Sequence, residues 1–296
     1  MRMKRNPIGV ISMSYARPFG PEHFFLFPRM RASGMDFCEL LVPEPDEFDP
    51  EAARTVANAA GLFLLFAVRV NASRDLSSPD PAVHAAAIAY LCAAVDVASA
   101  AGARIVGGPL YGSPLVFAGR APMPIGEPER AARIARVTEG LRVAGAYAAE
   151  RGVTLAIEPL NRFETDFCNL AAQAAELARA VASAAVGVML DTFHMNMEED
   201  DLPAAIRAVG SALVHFQANE NHRGFLGTGH IDWAAIARAL AAIGYAGPIT
   251  LEPFRRRDRR LSAPLAQWRP PEVDEDADLA ASAAFLRGVL HAAAVA

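Results

Sequence analysis

The sequence predicts a (β/α)8 TIM barrel, a single domain over residues 1–296, and three observations carry the prediction. Apolar, β-branched runs alternate with alanine-rich helical stretches eight times along the 296 residues. The composition, 53% hydrophobic and 21% charged, supports one large buried core, and no break in it marks a second domain. A doubly wound open sheet would carry a glycine-rich phosphate turn after its first strand. Here that region reads Ser12-Met-Ser-Tyr-Ala-Arg-Pro-Phe-Gly20, which has no such turn.

Taken in order, strands are expected at 8–13, 36–42, 62–70, 103–109, 153–158, 186–191, 212–217 and 248–252. Helices are expected near 22–33, 50–60, 80–101, 128–151, 169–184, 200–209, 232–243 and 277–294. Ser78-Pro79-Asp80-Pro81 opens the third helix, and Asp232 precedes the seventh, each an acidic cap before the first turn. Gly34, Gly61, Gly102, Gly152 and Gly244 stand where helices should stop. The stretch from Arg255 to Asp278, with its prolines and the run Arg255-Arg-Arg-Asp-Arg-Arg260, reads as a long solvated loop before the last helix.

The totals exclude several classes. A net charge of −5 leaves no basic footprint for nucleic acid. Cys38, Cys92 and Cys168 are scattered and in no ligand spacing, as expected of reduced thiols. The basic start Met1-Arg-Met-Lys-Arg5 is not followed by a long apolar stretch, and no uninterrupted run reaches the roughly 18 apolar residues of a membrane span. The expectation is a soluble, cytoplasmic protein with neither a membrane nor a nucleic acid as partner.

Four strand ends point to chemistry. Thr154-Leu-Ala-Ile-Glu158, Val188-Met-Leu-Asp191, Leu213-Val-His-Phe-Gln217 and Ile249-Thr-Leu-Glu252 each finish on an oxygen-bearing side chain. These residues are 33, 26 and 35 positions apart, one barrel unit each. Strand alternation places all four opposite the greasier face, so they point into the barrel at the C-terminal rim, where barrel enzymes keep their active sites. Three carboxylates and an amide oxygen form a hard donor set suited to manganese or magnesium rather than zinc. Without a cation, three buried carboxylates would repel one another, so a metal or protonation has to intervene.

Glu158-Pro-Leu-Asn-Arg-Phe-Glu164, Asp191-Thr-Phe-His194-Met-Asn, His215-Phe-Gln217 with Arg223, and Glu252-Pro-Phe254 resemble the ketose 3-epimerases. These are the D-tagatose/D-psicose 3-epimerase group of the xylose-isomerase-like barrels. The resemblance is strongest from about 150 to 254. It implies metal ligands Glu158, Asp191, Gln217 and Glu252, with Glu158 and Glu252 doubling as the acid/base pair. The implied cofactor is a divalent metal, manganese first and magnesium or cobalt as alternatives, with no organic cofactor. The implied reaction removes the C3 proton of a ketose on one face and returns one on the other, through a cis-enediolate. Gln217 departs from the group, which has a histidine there; hydroxypyruvate-isomerase-like relatives look to use a glutamine, which keeps aldose–ketose isomerisation as the alternative.

The same resemblance gives substrate contacts to His194, Arg223, Glu164 and Phe254, and Tyr111, in the loop after the fourth strand, is expected to face the sugar. His215 faces inward one layer below Gln217 and reads as a satisfied core histidine; Glu39 ends the second strand facing inward, where it could support a ligand; His222 and His230 read as ordinary loop residues. The partner is a small sugar, and barrels of this group pair into homodimers or homotetramers. Because no glycine-rich phosphate site follows the seventh or eighth strand, a free sugar is favoured over a phosphorylated one. The DNA-repair endonuclease branch of the same barrel needs several zinc-binding histidines and a basic face, which seven histidines and an acidic chain do not offer. A non-catalytic carbohydrate-binding role would not require two opposed glutamates.

Overall fold

Each apolar run hydrogen-bonds in parallel with the next, and the last returns to the first. A computed structural model describes residues 5–41, 44–112 and 125–295, apart from the side chain at position 46. The strands are β1 (Ile8–Ile11), β2 (Phe37–Leu41), β3 (Phe63–Ala67), β4 (Ile105–Gly108), β5 (Thr154–Ile157), β6 (Val186–Asp191), β7 (Leu213–Ala218) and β8 (Ile249–Leu251). They close as β1-β2-β3-β4-β5-β6-β7-β8, an eight-stranded TIM barrel. β6 and β7 keep their expected length, while β1, β2, β5 and β8 are two residues shorter, β4 three and β3 four; position 42, the expected end of the second strand, lies outside the described residues.

Outside the strands lie α1 (Phe27–Ala32), α2 (Pro50–Ala59), α3 (Pro81–Ala100), α4 (Glu127–Glu150) and α5 (Ala171–Val181). They are followed by α6 (Thr192–Glu198), α7 (Leu202–Val209), α8 (Trp233–Ala242), α9 (Arg259–Ser262) and α10 (Glu275–Val295). The side chains of Asp80 and Asp232 accept from Ala82 N and Ala235 N, capping α3 and α8 as their sequences predict. The expected stop glycines Gly34, Gly61, Gly102, Gly152 and Gly244 all take positive φ. Helix α10 buries Leu279, Ala283 and Leu286 at i, i+4 and i+7, one stripe along its length. Helices α3 and α10 have the length and apolarity of membrane spans, which the search for uninterrupted apolar runs misses because serine, histidine and charged residues interrupt them. Both pack in the barrel's outer layer, α3 against α4 and α10 against α8.

The outward faces of the strands, including Val10, Cys38, Phe66, Val106, Leu155, Leu190, Phe216 and Leu251, are buried in the core shared with the helices. The interior is narrower. A Cβ on Gly107 would sit 2.7 Å from Met189 Sδ and 3.7 Å from His215 Cδ2, so a glycine there leaves room for the two larger side chains. Between β6 and β7 the register shifts: Val188 pairs with Leu213, but Met189 pairs with His215 and Asp191 with Gln217. The extra residue, Val214, crowds Gly187, where a Cβ would meet Val214 Cγ1 at 2.6 Å and Ala212 O at 2.9 Å. This shift sets Asp191 and Gln217 side by side at the rim.

The basic run is not the solvated loop its composition suggests. Arg255 and Arg256 are buried and paired, Arg255 Nη1 with Asp276 at 2.7 Å and Arg256 Nη1 with Glu272 at 2.7 Å. The Glu275 carboxylate accepts from the backbone N–H groups of Arg256 and Arg257 at 2.7 and 3.0 Å. The run therefore ties the segment after β8 to the start of α10, while Arg257, Arg259 and Arg260 stay exposed.

Candidate active site

Glu158 and Glu252 each follow directly on the last residue of their strands, β5 and β8; Asp191 ends β6 and Gln217 is next to last in β7. All four are buried, at 6, 7, 0 and 2% exposure respectively. Asp191 is also the N-cap of α6, a helix absent from the sequence-based expectation. Its Oδ1 accepts from Phe193 N at 2.7 Å and from Asn219 Nδ2 at 2.9 Å. Its Oδ2 has no hydrogen-bond partner, although Arg223 Nη1 stands 3.0 Å away. We read the ion-pair distance as a charge contact whose angles do not make a hydrogen bond.

Arg223 sits among the carboxylates. Its Nη1 is 2.5 Å from Glu252 Oε2, and its guanidinium lies over the Phe193 and Phe254 rings at 4.2 and 4.8 Å. Against the cost of burial, Asp191 and Glu252 hold it firmly in the charged state. One guanidinium among three buried carboxylates leaves two negative charges uncompensated. Burial, with the Asp191 and Glu252 charges next, pushes the Glu158 carboxyl well above the usual carboxylate range. Glu252 is pushed up to about 7, again mainly by burial, with Arg223 pulling the other way.

His194, in the first turn of α6, is oriented by Asn161. The Asn161 backbone N–H donates to His194 Nδ1 at 3.1 Å, and a backbone N–H is a fixed donor, so Nδ1 is the accepting nitrogen. Burial pulls the His194 pKa down, which favours the neutral ring, and Arg223 Nη2, also a donor, lies 3.0 Å from its Nε2. That Nε2 faces Glu158 Oε1 at 3.8 Å and Asp191 Oδ2 at 3.7 Å. Glu158, Asp191 and His194 offer atoms within 4.8 Å of one another, close enough to surround a cation.

Beneath this layer lies a buried polar stack. Glu39, from β2, meets His215 Nε2 at 3.0 Å, and Thr250 Oγ1 is 3.3 Å from the same nitrogen. Gln217 Nε2 donates to the Glu39 oxygens at 3.3 and 3.4 Å. His215 pulls the Glu39 pKa below its ordinary value despite complete burial, which by itself would raise it. An ionised Glu39 only accepts, so it fixes the Gln217 amide with its NH2 group downward, leaving the carbonyl oxygen as the atom free to serve the site.

A cavity of about 350 Å3 opens above these groups, lined by Glu158, Glu164, His194, Gln217, Arg223, Glu252, Phe193 and Phe254. Asp191 lies behind this wall. Glu164 accepts from Asn161 Nδ2 at 2.9 Å. Tyr111 departs from expectation: it is fully buried, its hydroxyl donates to Cys168 O at 3.2 Å, and its ring packs on Phe167. It is not among the residues lining the cavity, because the start of the loop after β4 turns it into the core. His222 is occupied locally, accepting from Gly224 N at 3.1 Å, and His230 Nε2 lies 3.1 Å from Asn196 Oδ1.

Three contributors are not among the sequence-predicted residues. Asn219 touches both Asp191 and Glu252, the latter at 3.4 Å. Two residues past Gln217, it shares that residue's inward parity, which is the signal that could have found it. Arg69 continues the parity of Leu65 and Ala67 into the cavity wall; Arg17, in the loop after β1, carries no periodic signal.

The fold and the rim cluster define a member of a known class. The family described as xylose isomerase-like TIM barrel matches residues 27–288, and the chain belongs to it. Within it the chain groups with the ketose 3-epimerases, which are isomerase-class enzymes. It is 32% identical to a ketose 3-epimerase of Arthrobacter globiformis over 89% of each chain. It is 36% identical to an L-ribulose 3-epimerase of Mesorhizobium japonicum over 81% of this chain and 78% of that one. A solved L-ribulose 3-epimerase superposes with a TM-score of 0.87 at 32% identity, over 97% of this chain and 95% of the other. A D-psicose 3-epimerase solved in the presence of D-fructose gives 0.86 at 28% identity, over 96 and 99%.

Proposed function

We propose that the protein epimerises a ketose at C3, with Glu158 and Glu252 as the two proton carriers. The observation that carries the reading is a pair of buried glutamates, from β5 and β8, lining one cavity and both displaced upward in pKa. A buried carboxyl with a raised pKa is a stronger base than a free one, suited to take a proton from carbon and to return one. Ketose 3-epimerases among its relatives supply the reaction class.

The donor set fits a divalent cation. Asp191 Oδ2 is buried without a hydrogen-bond partner, three buried carboxyls share one guanidinium, and the Gln217 amide donates to Glu39, which turns its carbonyl upward. Glu158, Asp191, Gln217 and Glu252 would hold it, manganese first, with magnesium or cobalt also suited to all-oxygen donors. When bound, such an ion polarises the ketose carbonyl and so acidifies the neighbouring C3–H bond.

The chain's own residues do the rest. One glutamate takes the C3 proton, giving a cis-enediolate, and the other delivers a proton to the opposite face. His194 hydrogen-bonds a substrate oxygen, Arg223 binds the C1–C2 oxygens, Glu164 accepts from a hydroxyl, and Phe254 forms the apolar wall. No electrons leave the substrate, so no organic cofactor is required.

The test is a ketose panel in D2O with Mn2+, Mg2+ or Co2+ supplied. Deuterium at C3 with epimeric product is the expected result. Label at C1 or C2 with an aldose product would replace epimerisation by isomerisation. No exchange in any sugar refutes both.

A further inference from the structure

The cavity is lined by two kinds of charge. Carboxylates after β5 and β8 face it, and so do two arginines, Arg17 after β1, close enough to feel the Glu252 charge, and Arg69 after β3. We infer that the substrate is a ketose with an anionic group, a carboxylate or a phosphate, at the end of its chain remote from the reacting carbons, bound by Arg17 and Arg69. This rests on the ketose reading of the site and narrows its substrate class.

The argument begins with pairing. Elsewhere the protein matches its less exposed arginines with acids: Arg223 with Asp191 and Glu252, Arg255 with Asp276, Arg256 with Glu272, Arg133 with Asp166, Arg74 with Glu44. Among the described residues, neither Arg17 nor Arg69 has a carboxylate within 4.0 Å, the limit for an ion pair. Arg17 Nη1 is buried with no hydrogen-bond partner at all. Of the residues outside the described ones, 42–43 and 113–124 contain no Asp or Glu, and Asp46 is the one acidic side chain left.

The two cations also oppose each other. Burial, and then the Arg69 charge, pull the Arg17 pKa down from its ordinary value. Glu252 pulls it up, but that carboxylate is already engaged by Arg223 and Asn219. Two like charges held half-buried in one wall are unfavourable until an anion enters between them. Paired guanidinium groups present planar, multidentate donors matched to carboxylate or phosphate oxygens. Side-chain recognition of this kind needs no glycine-rich phosphate turn, so the lack of one after β7 or β8 does not require a neutral sugar.

The test uses binding probes that cannot react, so it stands apart from turnover. A hexitol, its 6-phosphate and the corresponding hexonate are titrated calorimetrically into the metal-loaded protein. The expected result is roughly 10- to 100-fold tighter binding of one or both anions than of the neutral hexitol, the size of a charge-assisted contact. Whichever anion gains more identifies phosphate or carboxylate as the natural group. Arg17→Gln and Arg69→Gln should each shrink the anion-to-neutral ratio, and Arg17→Lys and Arg69→Lys should retain most of it; native circular dichroism shows that the variants fold. Equal affinity for all three probes overturns the inference, as does a preference unchanged in both glutamine variants. If anions are preferred but no ketose exchanges deuterium at C3, the epimerase reading fails and the anion site stands. If neutral ketoses are epimerised with no anionic preference, the reverse holds.

Discussion

Replacing Glu39 by glutamine tests the reasoning about the site most sharply, because it alters no residue that lines the cavity. The Glu39 carboxylate serves two neighbours, His215 Nε2 at 3.0 Å and Gln217 Nε2 at 3.3 Å, and it is fully buried. Hydrogen bonds to a charged acceptor contribute about 1.5–3 kcal/mol each, and an isosteric amide keeps one of them in weaker, neutral form. Its other half, an NH2 group, then faces a donor. The expected cost is about 3 kcal/mol of unfolding free energy, in line with removing one partner of a buried polar pair. Urea unfolding of the metal-free protein measures it directly. A second consequence is specific to the proposed role. With no carboxylate below it, the Gln217 amide can turn over and offer NH2 where a cation needs an oxygen. Mn2+ affinity in Glu39→Gln should fall roughly 10- to 100-fold, the usual effect of losing a group that orients a ligand. Stability within about 0.5 kcal/mol of the parent would refute the energetic argument. A stability loss with unchanged Mn2+ affinity would refute the orienting role.

Other perturbations follow from the same geometry. Glu158→Gln and Glu252→Gln should each lower turnover by about 10^2- to 10^4-fold; urea unfolding without metal should show no loss of stability for Glu158→Gln, whose buried charge its acidic neighbours oppose, but a loss for Glu252→Gln, which gives up the ion pair with Arg223; appreciable retained turnover refutes the two-carboxylate scheme. Gly187→Ala forces a Cβ to within 2.6 Å of Val214 Cγ1 and 2.9 Å of Ala212 O. It should destabilise by about 1–3 kcal/mol, and a neutral result would mean that the β6–β7 register shift is not tight. The hydrogen bond from Arg133 lowers the Asp166 pKa, so this pair contributes stability above the unfolded-state pKa and loses it as pH falls through the lower folded value. Asp166→Asn should therefore approach the parent in stability as pH drops from about 4 towards 2; a stability gap independent of pH over that range contradicts the assignment.

The barrel is legible in the sequence because its information is local and periodic. Eight apolar runs, capped helices and glycine stops each follow from short-range chemistry, and the closed strand order follows from their number and sequence. What the chain conceals lies where periodicity ends. Helix α6 gives no helical signal because its first residues are Thr192-Phe-His-Met, without an apolar stripe, and its cap, Asp191, doubles as a site residue at a strand end. The arginines at 255 and 256 look solvated because a run of like charges usually is. Their partners, Asp276 and Glu272, arrive from the start of the last helix and the segment before it, a tertiary fact that no window of sequence holds.

The candidate site divides along the same line. Strand parity alone places Glu158, Asp191, Gln217 and Glu252, and extending the count two residues further places Asn219 and Arg69. A loop has no parity, which is why Tyr111 turns out to face the core and why nothing in the pattern points to Arg17. The difference has a chemical consequence. Strand residues supply the carboxylates, where a proton must be moved at one carbon, and the barrel fixes them rigidly. The two unpaired arginines come from the loops after β1 and β3, which can vary without disturbing that machinery. Reaction type is thus written where sequence is easiest to read, and substrate charge where it is hardest. Gln217 sits on the boundary: strand parity gives its position, but which atom it offers depends on Glu39, which is 178 residues away in the chain and 3.3 Å away in the fold.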